Sequence, residues 1–316
     1  MHRLIVVLGP TASGKSTLGV KLAKRFHGIV ISADSRQVYR GLNIGTGKIT
    51  RPEMRGVPHY LLDVAAPGGQ YTADRYVRDV KKVLQNTPPA TPVFLIGGSP
   101  FYIDALTKPG SYSPVPPNPA LRRRLDKLST ARLITMLRRL NPERLKNIDT
   151  ANRRRLIRAI EIATNHTPLP EGGRAYLSGR QAGGVGAPRA RRGAGVVALP
   201  VLHILKLGIT IPKPRLHKNI DRRVDQRLRG GMVAEVRRLH RQGLSWRRLD
   251  AFGLEYRFLS RYLRSQATKK EAVVQLKSAI RDFAKRQMTW WKRDTEIHWV
   301  TPTQATPLVR RFLQSQ

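Results

Sequence analysis

Residues 9–16 read GPTASGKS, and glycines, a lysine and hydroxyls at this spacing suit the binding of phosphate. Gly9 and Gly14 permit a tight turn that points backbone N–H groups at one anion. Lys15 adds a point charge, and the Ser16 hydroxyl is placed to ligate Mg2+ beside the phosphate. Gly9, Pro10, Thr11, Ala12, Ser13, Gly14, Lys15 and Ser16 are therefore the candidate phosphate contacts. A second polar group, Asp34-Ser35-Arg36-Gln37, follows the apolar run from Gly28 to Ala33. An acidic residue at the carboxyl end of a parallel strand either caps a helix or faces the ligand crevice. A third apolar run, Val93 to Ile96, ends in Gly97-Gly98-Ser99, where a nucleotide hydrolase or kinase would carry an aspartate. Its absence weakens an ATPase or GTPase reading and leaves Asp34 as the main carboxylate near the phosphate loop.

Such groups need a sheet behind them. Leu4 to Leu8 is a short, wholly apolar run, as in a strand buried on both faces. From Ser16 to Phe26, Leu18, Leu22 and Ala23 recur at helical spacing, so strand, loop and helix follow in the order a phosphate loop requires. His59 to Val64 reads as a short strand, Thr72 to Leu84 as a helix, and Val201 to Leu207 as a returning strand. Pro109 to Pro119 reads as a hinge. Short helices follow it, carrying Leu121, Leu125 and Leu128, then Leu133, Leu137 and Leu140, then Arg153 to Ala163. Arg155 and Arg158 share a face of the last, either as a solvated charge run or as contacts to a phosphate backbone. Gly172 to Gly195 is rich in Gly, Ala and Arg and cannot form a core.

Toward the end, Ile220, Val224 and Leu228, then Val233, Val236 and Leu239, mark one helix or two around Gly230-Gly231. Ala272, Leu276, Ile280, Ala284, Gln287 and Trp291 form a long amphipathic stripe opposite Lys277, Arg281, Lys285 and Lys292. Trp290 and Trp291 are candidates to stack on bases, with at least one of them expected in the core. Ile297 to Val300 closes the chain's sheet as an edge or central strand.

The 316 residues carry 59 Lys and Arg against 20 Asp and Glu, a net charge of +39. The first hundred residues hold +9 of it and the rest +30. A polyanion is the expected partner, with an anionic membrane surface as the weaker competitor. With no Cys, thiolate nucleophiles and disulfides are excluded. No apolar stretch reaches a membrane span and no targeting signal is present, so a cytoplasmic protein of bacterial type is expected.

The chain resembles the bacterial tRNA dimethylallyltransferases, also called isopentenyl-diphosphate:tRNA transferases. The resemblance rests on GPTASGKS at 9–16, ISADSRQVYRGLNIGTGK at 31–48, GVPHYLLDV at 56–64, and Gly97-Gly98-Ser99 with Tyr102. It continues through Arg155, Arg158-Ala159-Ile160-Glu161, PKPRLHKNIDRRVD at 212–225, GLEYR at 253–257 and AKRQMTWWKRD at 284–294. These motifs run in family order along nearly the whole chain, the 172–195 loop excepted.

The resemblance implies an α/β fold, a P-loop NTPase-like parallel sheet flanked by helices, with a helical insertion domain. It implies core residues 1–117, a tRNA-binding insertion at 118–170, a basic loop at 171–198, and core completion with a long basic helix at 199–316. The implied reaction moves a dimethylallyl group from dimethylallyl diphosphate to N6 of the adenosine at tRNA position 37. The phosphate loop would hold diphosphate rather than ATP, with Mg2+ at Ser16 and Arg215 on the leaving group. Thr11 would donate to the bridging oxygen, and Asp34 would accept the amine proton. Implied tRNA contacts are Asp34, Ser35, Arg36, Gln37, Ser99, Arg122, Asn152, Arg153, Arg154, Arg155, Arg158, Lys285, Arg286 and Gln287. The partner would be an anticodon stem-loop and the working form a monomer. Where the family has Gly-Gly-Thr-Gly-Leu-Tyr this chain has Gly97-Gly98-Ser99-Pro100-Phe101-Tyr102, and the usual Asp before the insertion's arginines is Asn152. A small-molecule or nucleoside kinase would share the phosphate loop, and a non-catalytic RNA-binding protein would share the charge.

Overall fold

The computed structural model describes residues 1–108, 110–113, 115–165 and 201–315. The basic 172–195 segment lies outside them. Two compact units are present, Met1–Thr107 with Arg191–Gln316, and Lys108–Ala190.

The first unit is built on six strands: β1 (His2–Leu8), β2 (Ile29–Ser32), β3 (His59–Tyr60), β4 (Val93–Gly97), β5 (Leu202–Ile209) and β6 (Ile297–Val300). Their order is β3-β2-β4-β1-β5-β6, and every pairing is parallel. β1 lies between β4 and β5, and Leu4 to Val7 are wholly buried. That burial explains why the run is apolar without alternation, since helices cover both faces of a parallel sheet. β6 is an edge strand. The strand expected at 59–64 stops after Tyr60, because Leu61 (φ 62°) and Asp63 (φ 56°) turn left-handed and leave the ladder.

Helices α1 (Lys15–Arg25), α2 (Arg51–Met54), α3 (Ala73–Gln85) and α4 (Pro100–Thr107) belong to the amino-terminal half of this unit. Gly14, at φ 88°, starts α1 from the left-handed region, a conformation open to glycine at little cost. Gly97 closes another tight place: a Cβ there would lie 2.1 Å from the Ala33 carbonyl oxygen, so the ends of β2 and β4 can meet.

The carboxyl half adds α9 (Lys213–Arg229), α10 (Met232–Arg241), α11 (Trp246–Phe252), α12 (Leu254–Leu263), α13 (Lys269–Trp291) and α14 (Pro302–Gln314). Gly230-Gly231 separates α9 from α10, and Met232 rather than Val233 enters the core. α13 starts from a Thr268–Glu271 capping box and buries Ala272, Leu276, Ile280, Ala284, Gln287 and Trp291. Its opposite side is free only in part: Lys285 and Lys292 are exposed, while the two cations before them are paired. Lys277 pairs with Asp225 at 2.7 Å and Arg281 with Asp221 at 2.5 Å, both on α9. Trp291 is core, whereas Trp290 is partly exposed and donates to Asp104 Oδ2 at 2.7 Å. Among the described residues no helix is long and apolar enough to cross a membrane.

The second unit holds α5 (Pro119–Leu125), α6 (Thr130–Leu140), α7 (Pro142–Lys146) and α8 (Arg153–Thr164). Leu125, Leu133, Leu137, Leu156, Ile157 and Ile160 form its core. Glu161 is wholly buried within it. Its carboxylate accepts from the Asn118 N–H (2.5 Å), Arg122 Nε and Nη2 (2.9 and 2.6 Å) and Arg158 Nη1 (2.5 Å). Burial alone would raise its pKa, but these donors hold the carboxyl below its usual value. Its contribution is therefore complete above the unfolded pKa and is lost as pH falls through the folded one. Removing the carboxylate strands two partly buried guanidiniums, so Glu161→Ala should lower stability by about 3–5 kcal/mol, read by chemical denaturation.

Candidate active site

The turns at the carboxyl ends of β1, β2 and β4 meet beside α9 and α13, and two adjoining clefts open there. The first, of 1310 Å³, is lined by Ala12 to Thr17 of the phosphate loop and by one face of α9. The second, of 490 Å³, is lined by Thr11, Asp34, Ser35, Arg36, Ser99 and residues of α12 and α13. Lys15 and Arg223 belong to both walls.

The loop is shaped for an anion that it receives from outside. Ser13 Oγ is buried with no hydrogen-bond partner, while Lys15 Nζ rests on the Pro10 carbonyl at 3.2 Å. Asn219 Nδ2 donates to the Ala12 carbonyl (3.3 Å), and Arg223 Nη2 donates to Thr11 Oγ1 (2.5 Å). The Thr11 hydroxyl proton is thereby directed away from Arg223. Burial lowers the Lys15 pKa to about 8, helped by the charges of Arg223 and Arg227 and opposed by Asp34. Burial, then Arg227, lowers Arg223 to about 10, which leaves it a cation at neutral pH.

A lysine with a depressed pKa carries its charge below about pH 8 and loses it above. An incoming diphosphate favours the charged form, so binding takes up a proton at alkaline pH. Diphosphate affinity should fall about tenfold from pH 7 to pH 9 relative to a Lys15→Arg variant that stays charged, as measured by titration calorimetry.

Arg223 is the residue that sequence reasoning missed. Arg215 is exposed on the first cleft and makes no hydrogen bond among the described residues, whereas Arg223, two turns on, reaches the loop. The signal was present: Arg223 lies seven residues after buried Leu216 and Arg227 seven after buried Ile220, so on a helix both cations fall on the packed face, whereas Arg215 does not. Glu235 was missed as well. Its carboxylate accepts the N–H groups of Asn43, Ile44 and Gly45 at 2.8–2.9 Å and the Tyr256 hydroxyl at 2.8 Å. Arg227 bonds the Gly45 carbonyl (3.1 Å) and Glu255 (3.2 Å). Together they hold the 43–47 turn, which borders both clefts through Gly47 and Thr46.

Asp34 caps no helix, because residues 35–38 form turns. Oδ1 accepts the Arg36 N–H at 2.8 Å, a local turn, and the carboxylate takes no other hydrogen bond among the described residues as it faces the second cleft. Ser99 Oγ accepts the Ser35 N–H at 2.9 Å and the Ser99 N–H reaches the Ala33 carbonyl at 3.1 Å, tying the β2 and β4 ends together. Gln37 is turned inward, bonded to the Gly47 carbonyl (3.1 Å) and Ser32 Oγ (3.4 Å).

Several residues expected on tRNA have internal hydrogen-bond partners in the structure. Gln287 is 3% exposed and bonded at both ends of its amide. Arg122 and Arg158 close on Glu161, with about a third of each side chain (32% and 31%) left exposed. Arg153 Nη2 caps the Leu125 and Asp126 carbonyls (2.9 and 2.8 Å), and Asn152 caps α8 through the Arg155 N–H (3.2 Å). Buried carbonyls and carboxylates draw the nearest cations, which is the physical reason for these pairings. Arg154, Arg155, Lys285 and Arg286 are exposed.

No cluster of three or more His, Asp or Glu occurs among the described residues. Mg2+ usually takes one or two protein oxygens together with substrate phosphates. The exposed Ser16 hydroxyl beside an anion cradle fits that pattern.

Fold and site together define an α/β protein of the phosphate-loop class, with a cationic wall between an anion cleft and a carboxylate cleft. The sequence model of the IPP transferase family matches residues 37–294. A tRNA dimethylallyltransferase 2 of Citrifermentans bemidjiense is 39% identical over 303 residues, covering 94% of this chain and 90% of the relative. The tRNA dimethylallyltransferase of Treponema pallidum is 38% identical over 311 residues, covering 96% and 92%. The full-length tRNA isopentenylpyrophosphate transferase of Bacillus halodurans superposes with a TM-score of 0.69 at 27% identity, covering 99% of this chain and 97% of that one. The chain belongs to the IPP transferase family.

Proposed function

We infer that this enzyme transfers the dimethylallyl group of dimethylallyl diphosphate to tRNA, at N6 of the adenosine at position 37, and releases diphosphate. The observation that carries this reading is the shared wall: Lys15 and Arg223 border both the phosphate-loop cleft and the Asp34 cleft. Donor and acceptor can then meet where leaving-group charge develops.

The adenine amine is a weak nucleophile because its lone pair is delocalised into the ring. An allylic C1 compensates by carrying partial cation character. The N6–C1 bond forms as the C1–O bond breaks, the electron pair leaves with diphosphate, and the N6 proton passes to Asp34. Lys15, Arg223, the loop N–H groups and the Thr11 hydroxyl receive the growing charge. Ser16 would hold Mg2+, which would supply further positive charge at the leaving group. The target base must leave its stack to reach the second cleft, where Ser35 and Arg36 flank Asp34. Exposed Arg154, Arg155, Lys285 and Arg286 supply backbone contacts for the anticodon stem-loop. One chain carries every group used, so the working form is a monomer.

The test incubates the protein with an unmodified anticodon stem-loop, Mg2+ and labelled dimethylallyl diphosphate. Label on N6 of the adenine is expected. Label elsewhere overturns the position, and ATP-dependent phosphorylation without transfer overturns the reaction in favour of a kinase.

A further inference from the structure

We propose that Gln287 is a positioning residue that sets the distance between the donor and acceptor halves of the site, by tying the phosphate loop to the turn after β4 through one side-chain amide. The proposal rests on the reading above of which substrate fills which cleft.

Both ends of the amide have partners distant in sequence. Oε1 accepts the Thr11 N–H at 2.9 Å, and Nε2 donates to the Gly98 carbonyl at 2.5 Å. The partners dictate the orientation, since an N–H needs an acceptor and a carbonyl needs a donor. β1 and β4 are neighbours, paired up to Leu8 and Gly97, so the two loops leave the sheet side by side. Beyond that point no ladder holds them, and Gln287 bridges them.

The bridge is one link in a continuous path. Arg223 bonds the Thr11 hydroxyl, and the Thr11 N–H bonds Gln287. Gln287 bonds Gly98, the neighbour of Ser99, whose hydroxyl takes the Ser35 N–H beside Asp34. The path runs from the group that receives the leaving charge to the group that receives the proton. Its central member sits on α13 between buried Ala284 and Trp291, on a rigid element rather than a loop. Glutamine is the type required. Glutamate would have no donor for Gly98 and would set a negative charge beside the anion site, and methionine would leave both loop groups unpaired.

Two variants remove the bridge from opposite sides. Gln287→Met deletes the amide. Gly98→Ala places a Cβ 2.8 Å from Nε2 and 3.3 Å from Lys15 Cε, displacing the flexible end of the same side chain. For each, the melting temperature, Kd for inorganic diphosphate, Kd for the stem-loop, KM and kcat are measured. Both Kd and both KM values should stay within about threefold, while kcat falls about 100-fold, the scale of a misplacement near 1 Å. A kcat within threefold of native in either folded variant, or losses confined to affinity, overturns the proposal. So does failure of both variants to fold, which would make the amide a structural bond alone. Native enzyme is the control: if it binds both ligands and transfers nothing, the substrate assignment fails and the bridge falls with it. Native transfer with undiminished variants condemns the bridge alone.

Discussion

Asp34→Asn is expected to slow turnover by about 10³-fold while stem-loop affinity stays within about threefold. The side chain has two separable roles in the structure. One oxygen accepts the Arg36 N–H at 2.8 Å and shapes the turn, a bond that the asparagine carbonyl can make equally well. The carboxylate also lines the cleft that Lys15 and Arg223 line, where in the proposed reaction it takes the amine proton, which an amide cannot do. Asparagine therefore preserves the turn and removes the base. Single-turnover kinetics with saturating dimethylallyl diphosphate read the chemical step, and a filter-binding curve reads the affinity. Turnover within threefold of native would show that the proton leaves by another route.

Arg223→Gln should lower kcat by about 10²–10³-fold, with a smaller rise in KM for the diphosphate. The guanidinium stands on the wall common to both clefts and donates to the Thr11 hydroxyl, so in the proposed reaction it acts on charge that appears only as C1–O breaks. A second signature separates this from general damage. Arg223 is one of the charges that depress Lys15, so its removal raises the Lys15 pKa above about 8. A raised pKa keeps Lys15 charged to higher pH, and the alkaline fall in diphosphate affinity should move upward in the variant. Arg215→Gln, which removes an exposed cation at the cleft margin, should cost less than about tenfold in kcat. Equal losses in the two variants would place both arginines on the leaving group and refute the distinction.

The phosphate loop was legible because its information is local. Eight consecutive residues between an apolar strand and a helix specify a turn, a dipole and a lysine, and the structure places them at the carboxyl edge of the sheet. The α13 stripe was legible for a similar reason, since a 23-residue helix repeats its pattern often enough to read. The short strand at 59–64 was over-read because two left-handed residues, neither of them glycine, ended it. The partners of the charges were not legible in the sequence. Lys277, Arg281, Arg122 and Arg158 look in sequence like a surface for polyanions, and each has an acidic partner in the fold.

By itself, then, the sequence determined a parallel α/β core, a phosphate-binding loop, a carboxylate at the end of the second strand, and a family. Tertiary structure decided which cation of α9 reaches Thr11 and what joins the phosphate loop to the turn after β4. Arg215 and Arg223 lie on one helix about 12 Å apart along its axis. Spacing puts Arg223 on the packed face of that helix, but it does not say that the turn carrying it packs against Thr11. The bonds Arg223–Thr11, Gln287–Thr11 and Glu235–Gly45 join residues 212, 276 and 190 positions apart. Hydrogen bonds of that range leave no periodic trace in the chain, because their geometry comes from the packing of whole helices and not from neighbouring residues.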